Sequence, residues 1–244
     1  MQAANKVAAI TLSFWMMKIL ATTLGETAGD MLAMTLDAGY TVGLLVTMGI
    51  LLVLLLAQVR ADRFHPSLYW AAIIGTTTAG TEISDFMDRT LGIGYMWGSV
   101  VLVSGLALVL GLWHRSEKSL RVYPITRKGP EIFFWAAVLF SNSLGTAFGD
   151  FLTDDAGLSY MQGALVTFGV IGVVAGLHYV SKINQVLLFW LAFIFTRPFG
   201  ATFGDLLTKP LEHGGLGLST IWATAVTMAL FIGIFAVARK QHQE

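Results

Sequence analysis

Residues 14–30 read FWMMKILATTLGETAGD and end on Gly25-Glu26-Thr27-Ala28-Gly29-Asp30. That ending recurs as Gly80-Thr81-Glu82-Ile83-Ser84-Asp85, Gly145-Thr146-Ala147-Phe148-Gly149-Asp150 and Gly200-Ala201-Thr202-Phe203-Gly204-Asp205. Each copy closes an apolar run with a small residue, three residues, a second small residue and an acid. The acids fall 55, 65 and 55 residues apart, so the two halves of the chain superpose at an offset of 120 without gaps. At that offset Phe14-Trp15 meets Phe134-Trp135, Tyr40 meets Tyr160, Trp70 meets Trp190, and Gly43, Thr47 and Gly49 meet Gly163, Thr167 and Gly169. A unit was duplicated, and the product was duplicated again.

Each unit contains two apolar segments. The first carries the motif, at about 7–30, 67–85, 131–150 and 186–205. The second follows a short polar turn, at about 41–59, 93–113, 158–178 and 215–238. These lengths match the ~20 residues a helix needs to cross ~30 Å of hydrocarbon, and they lack the alternation of a barrel strand. Composition agrees: 55% of the 244 residues are hydrophobic and only 12% charged, about half the charge of a soluble surface. The expected fold is all-α: a polytopic membrane protein of eight transmembrane helices, built from four parallel two-helix repeats in pseudo-twofold halves. Residues 1–114 form the first half, 115–130 a cytoplasmic linker and 131–244 the second half. The N-terminal stretch is read as a copy of the repeat and not as a signal peptide.

Charge sets the orientation. Lys6, Arg60, Arg63, Arg115, Lys118, Arg121, Arg127, Lys128, Lys182, Arg239 and Lys240 fall on one side of this map, and only Arg89 and Lys209 on the other. The bias places both termini in the cytoplasm, with the chain multi-pass in the inner membrane. An even number of spans per unit gives every unit the same orientation, so the four acids face one centre from the outer side. Tyr40, Tyr69, Trp70, Tyr95, Trp97, Trp113 and Tyr160 are expected as interface anchors.

Counting back from each acid gives matched layers. Four residues earlier stand Glu26, Thr81, Thr146 and Ala201, three earlier Thr27, Glu82, Ala147 and Thr202, and eight earlier Thr22, Thr77, Asn142 and Arg197. Lys18, Thr22, Glu26 and Asp30 share one helix face. A charge at the centre of a span costs about 2.5–3.5 kcal/mol, so these groups must pair, bind an ion, face water or become neutral. Pairing the six acids (Asp30, Asp85, Asp150, Asp205, Glu26, Glu82) with the two bases Lys18 and Arg197 leaves four acids in excess. Simpler roles exist for the same residues. Small-residue pairs pack helices, an Asp at a helix end forms a cap or turn, and Lys18 and Arg197 suit structural ion pairs. The methionines near the motifs (Met31, Met34, Met87, Met161) suit core filling.

Other chemistry is absent from the sequence. There is no cysteine, and His65, His114, His178, His213 and His242 form no spaced ligand set. No phosphate loop, nucleophile elbow or dinucleotide fingerprint occurs, so no enzyme activity, cofactor or nucleic-acid partner is expected.

The four motifs resemble those of a bacterial family of integral membrane proteins built from about four copies of a Gly-Asp repeat of unknown function, known as membrane-anchored proteins. The resemblance runs from Phe14 to about Phe235, and Ser84 departs from its Gly-Asp signature. It implies the architecture and little of the function. Glu26-x-x-Gly29-Asp30 is also similar, by analogy, to the acidic Glu-x-Gly-Asp motif of Mn2+/Ca2+ exchangers, with one residue more between the acids and no base after Asp.

The residues themselves lead to a carrier for a divalent metal cation such as Mn2+, exporting it by proton antiport, since oxygen ligands favour hard or borderline metals. Asp30, Asp85, Asp150 and Asp205 would bind or relay the ion, with Glu26 and Glu82 adding charge or taking protons. Lys18 and Arg197 would be counter-ions, and Thr22, Thr77 and Asn142 would line the path. The partners are then the lipid bilayer, the cation and protons, in a monomer or an oligomer. A proton or monovalent-cation channel and a non-transporting scaffold or regulator remain open alternatives.

Overall fold

In the computed structural model residues 4–241 are described, and His242, read as part of the tail, lies outside them. Among the described residues there are eight long helices and no strand: α1 Leu12–Asp30, α2 Gly39–Arg60, α3 Pro66–Asp85, α4 Tyr95–Glu117, α5 Lys128–Asp150, α6 Tyr160–Val180, α7 Gln185–Thr208 and α8 Thr220–Gln241. Six are long and apolar enough to cross a membrane, namely α2, α4, α5, α6, α7 and α8. This supports a multi-pass membrane protein, since an uninterrupted helix satisfies its backbone groups without water. The polar residues that dilute α1 and α3, among them Lys18, Thr22, Glu26, Thr77 and Glu82, are buried inside the molecule.

Local chemistry sets the helix ends. The Thr11 hydroxyl accepts from Phe14 N at 3.2 Å and starts α1. The expected start near residue 7 is thus corrected to Leu12, because residues 5–7 are tied elsewhere: Lys6 N donates to Ile125 O and Phe64 N to Asn5 O. Ser159 and Gln162 form a capping box at α6. α8 begins at Thr220 and not near 215, because Gly214 and Gly217 take positive φ in a turn whose amides at 216–218 bond back to residues 206–209. The first three acids do not terminate their helices. Each of α1, α3 and α5 continues for five residues in a wide π turn, Met31–Thr35, Phe86–Thr90 and Phe151–Asp155. The cap reading of the Asp residues therefore does not describe these three.

The motif helices form a closed ring in which α1 lies beside α3, α3 beside α5, α5 beside α7 and α7 beside α1. The even helices lie outside it, each against the motif helix of the following unit: α2 on α3, α4 on α5, α6 on α7, and α8 back on α1. The motif glycines explain the close approach. The first small residue of each motif faces the residue eight before the next acid: Gly25 meets Thr77, Gly80 meets Asn142, Gly145 meets Arg197 and Gly200 meets Thr22. At Gly80 an added Cβ would lie 3.0 Å from Asn142 backbone, with no room to shift. One turn on, Gly29 meets Thr81, Gly149 meets Ala201 and Gly204 meets Glu26. The small-residue motif thus packs all four ring helices in parallel.

The outer helices bury only a narrow stripe at helical spacing, Gly43, Thr47, Leu51 and Gln58 on α2 and Gly98, Leu102, Leu106 and Trp113 on α4. Their other faces expose Leu45, Val53, Leu108, Leu165 and Val226, an apolar belt that a lipid environment accepts.

Candidate functional site

The ring interior is layered along its axis. At one end stand Asp30, Asp85, Asp150 and Asp205, all buried. Lys209 reaches back between two of them: its Nζ donates to Asp30 Oδ2 at 2.8 Å and forms a second ion pair with Asp205 Oδ1 at 3.2 Å. Arg89 Nε donates to Asp85 Oδ1 at 3.4 Å, and its guanidinium stands 5.7 Å from the Tyr40 ring and 5.8 Å from the Tyr95 ring. The Asp150 carboxylate makes no hydrogen bond or ion pair within 4 Å among the described residues, although Arg89 is near enough for the two charges to interact, and its backbone oxygen accepts from Thr153 Oγ1 at 3.3 Å. Ser84, which replaces the usual glycine, donates its hydroxyl to Asp88 Oδ2 at 3.3 Å.

One turn inward, Arg197 crosses the ring. Its Nη2 donates to Glu26 Oε2 at 2.8 Å and to Thr81 Oγ1 and Thr146 Oγ1 at 2.6 Å each, joining α7 to the other three ring helices. Arg197 is fully buried, and its Nε and Nη1 have no partner. Below it, Lys18 Nζ donates to Asn142 Oδ1 at 3.0 Å and lies 4.2 Å from the Phe193 ring centre, while Asn142 Nδ2 donates to Thr76 Oγ1 at 3.1 Å. Thr22 and Thr77 donate to the main chain of the preceding ring helix, at Thr196 O and Ala21 O, 3.0 Å each.

The far end is closed by aromatic rings. Phe14-Trp15, Tyr69-Trp70, Phe134-Trp135 and Phe189-Trp190 stand at matched positions, and Phe14–Trp70, Tyr69–Trp135 and Trp15–Phe189 pair across helices at 5.5–5.7 Å. Tyr69, Trp70 and Trp113 belong to this core, so their expected role as interface anchors is corrected. Beyond the aromatics, buried Lys6 pairs with buried Glu131, which also accepts from Gln58 Nε2 at 3.1 Å.

Of the six expected acidic ligands, the ring brings three into one cluster. Glu26, Asp30 and Asp205 each present a carboxylate oxygen within 4.8 Å of the others, a spacing that fits one cation. Glu82 is not among them. Its carboxylate sits against Gly43 of α2, and neither oxygen has a hydrogen-bond partner. Among the described residues Lys18 has no acidic partner, so the expected Lys18 ion pair gives way to a hydrogen bond and a ring contact. Besides Arg197, which pairs with Glu26, the bases that reach the acids are Lys209 and Arg89, which a charge map assigns to loops. Their sequence signal was the acid-to-base spacing of four residues, Asp85 to Arg89 and Asp205 to Lys209. Four bases now stand against the six acids, and the excess falls from four to two.

No curated protein and no solved structure matches the chain. A family model described as a repeat of unknown function matches residues 13–64, 68–119, 133–184 and 188–243, nearly the whole length, in four copies whose bounds follow the four units of the ring. The chain therefore belongs to the DUF347 repeat family.

Proposed function

We propose that this protein is an inner-membrane carrier that exports a divalent cation, Mn2+ by its ligand chemistry, in exchange for protons. In this reading all eight helices span the membrane as four parallel repeats in pseudo-twofold halves. Both termini are cytoplasmic, and the acids lie toward the outer side. The observation that carries the reading is the buried Glu26, Asp30 and Asp205 cluster. Three carboxylates supply hard oxygen ligands of the kind Mn2+, Mg2+ and Ca2+ prefer. Such acids are expensive in a membrane interior and are kept there for a reason.

The internal bases support exchange over open conduction. Lys209 already occupies the space between Asp30 and Asp205, and an incoming cation would have to displace its ammonium. Asp150, buried at the same depth with no salt bridge within 4 Å among the described residues, suits a proton acceptor or an additional ligand. Arg197 lies across the axis and an aromatic floor closes it, an arrangement that disfavours the continuous water path a channel requires.

Flux into proteoliposomes across a panel of Mn2+, Mg2+, Ca2+, Zn2+ and K+, with and without a pH gradient, tests the reading. Divalent flux driven by the gradient and abolished in Asp205→Asn is expected. Flux unchanged in Asp205→Asn and Asp85→Asn would remove the carboxylates from the mechanism. No flux of any ion would favour a scaffold held together by its own ion pairs.

A further inference from the structure

The seam between α8 and α1 differs from the other three. Residues 61–65 join α2 to α3, 118–127 join α4 to α5, and 181–184 join α6 to α7, so each of these seams has a connector at its basic end. The fourth seam brings α8 to α1, and among the described residues no interhelix connector lies along it. A groove of about 460 Å3 opens there, within the usual range for a small-molecule site. Its floor includes Phe14, Met17, Trp70 and Phe235, and its rim carries Asn5 and Arg239. A second stretch lined by Leu12, Met16, Ile234 and Val237 shares Thr11, Ser13 and Ala238 with it and continues along the outer face of the same two helices. Together they make a trough that is polar at the basic end and apolar along the belt.

Arg239 decides what fits. It is exposed, no acid lines either part of the trough, and among the described residues Arg239 has no ion-pair partner. Lys6, between Asn5 and Val7 of the lining, is already paired with Glu131. A guanidinium with no ion pair among the described residues, at the mouth of an apolar trough, complements a phosphate that carries a hydrocarbon chain, because the planar fork of Arg matches phosphate oxygens. Basic pockets between membrane helices on the cytoplasmic side hold anionic headgroups for the same reason.

The geometry points to a binding site for an anionic glycerophospholipid, its acyl chain lying in the α1–α8 trough and its phosphate on Arg239. The lipid fills the groove between α1 and α8 and holds these two helices together. The inference rests on the membrane placement of the helices and is independent of cation transport.

Native mass spectrometry of the full chain in detergent tests it. Phosphatidylglycerol and phosphatidylcholine with identical acyl chains are titrated separately, with inorganic phosphate as competitor. Phosphatidylglycerol should be retained at about ten-fold lower concentration than phosphatidylcholine. Arg239→Glu should abolish that preference, and Ala238→Trp, which fills the trough, should weaken both lipids. Equal retention of the two lipids by the unaltered chain, or a preference that survives in Arg239→Glu, overturns the site. Displacement by millimolar inorganic phosphate also overturns it, since the acyl chain would then contribute nothing. Retention unchanged in Ala238→Trp overturns the placement in the trough.

Discussion

At the scale of single residues, Lys209 is the most informative side chain, because it acts as a tethered cation in the acidic cluster. An ion arriving at Glu26, Asp30 and Asp205 competes with an ammonium that cannot diffuse away. Lys209→Met removes that competitor, and the apparent affinity for Mn2+ should rise about ten-fold, equal to ~1.4 kcal/mol. Thermal unfolding in detergent reads this directly, as a larger metal-induced rise in Tm for the variant than for the unaltered chain. A lower Tm with no response to metal would make Lys209 purely structural. Arg197 has the opposite character. It joins four helices from a fully buried position, so Arg197→Met leaves Glu26 as an uncompensated acid and should cost about 3–5 kcal/mol. Adding Glu26→Gln should recover a large part of the loss, a coupling that a double-mutant cycle measures. The Asp residues of this site were legible in the sequence because duplication wrote them four times, whereas Glu26 stands alone against Thr81, Thr146 and Ala201 at the matched positions. Their partners were only partly so. Arg89 and Lys209 carry the spacing of an intrahelical pair, but the bond from Lys209 to Asp30 spans 179 residues and needs the closed ring to exist.

At the scale of elements, the same sequence signal, a glycine, has two physical meanings. Gly25 and Gly200 sit where a neighbouring threonine fills the space of a Cβ, whereas Gly169 and Gly172 on α6 meet nothing within 4 Å. Gly25→Ala should therefore force the ring apart and cost about 1–3 kcal/mol. Gly169→Ala should be neutral or stabilising by about 0.5–1 kcal/mol, because it relieves only the backbone entropy of glycine in a helix. Comparing the two variants by thermal unfolding in one detergent separates packing from propensity. The helices themselves were readable to within a few residues from length and hydropathy. What was not readable was α1 starting at Leu12 behind a Thr11 cap, because in the segment before it the Lys6 amide donates to Ile125 O and the Asn5 carbonyl accepts from Phe64 N, far along the chain. The aromatic floor was half visible. The Phe-Trp and Trp matches between halves appear at the 120-residue offset, but a Trp near a helix end reads as an interface anchor until the ring places it inside.

At the scale of the whole molecule, the decisive feature is that each outer helix covers the unit after its own. α4, from the first half, covers α5 of the second, and α8, from the second, covers α1 of the first. Neither half is therefore complete alone. The first half would expose the Lys18 and Glu26 face of α1, and the second the Asn142 face of α5, each facing hydrocarbon without the partner that now buries it. A polar or charged residue left in lipid costs several kcal/mol, so separate expression should yield little folded material. Co-expression should succeed, because the halves hold each other without the peptide bond between them. Ile125 N donates to Asn5 Oδ1 at 3.1 Å, Lys6 pairs with Glu131, and the Trp113 and Trp190 rings meet at 5.8 Å across the same joint. A chain cut between the exposed Lys118 and Ser119 and produced as two tagged pieces should co-purify as a one-to-one complex with the helix content of the intact protein. Glu131→Gln in that split form should weaken the complex far more than in the intact chain. Loss of the Lys6 pair then lets the pieces separate, whereas the covalent linker would otherwise hold them at high effective concentration. Folded, separately purified halves would show that the cross-half cover of α4 and α8 is dispensable.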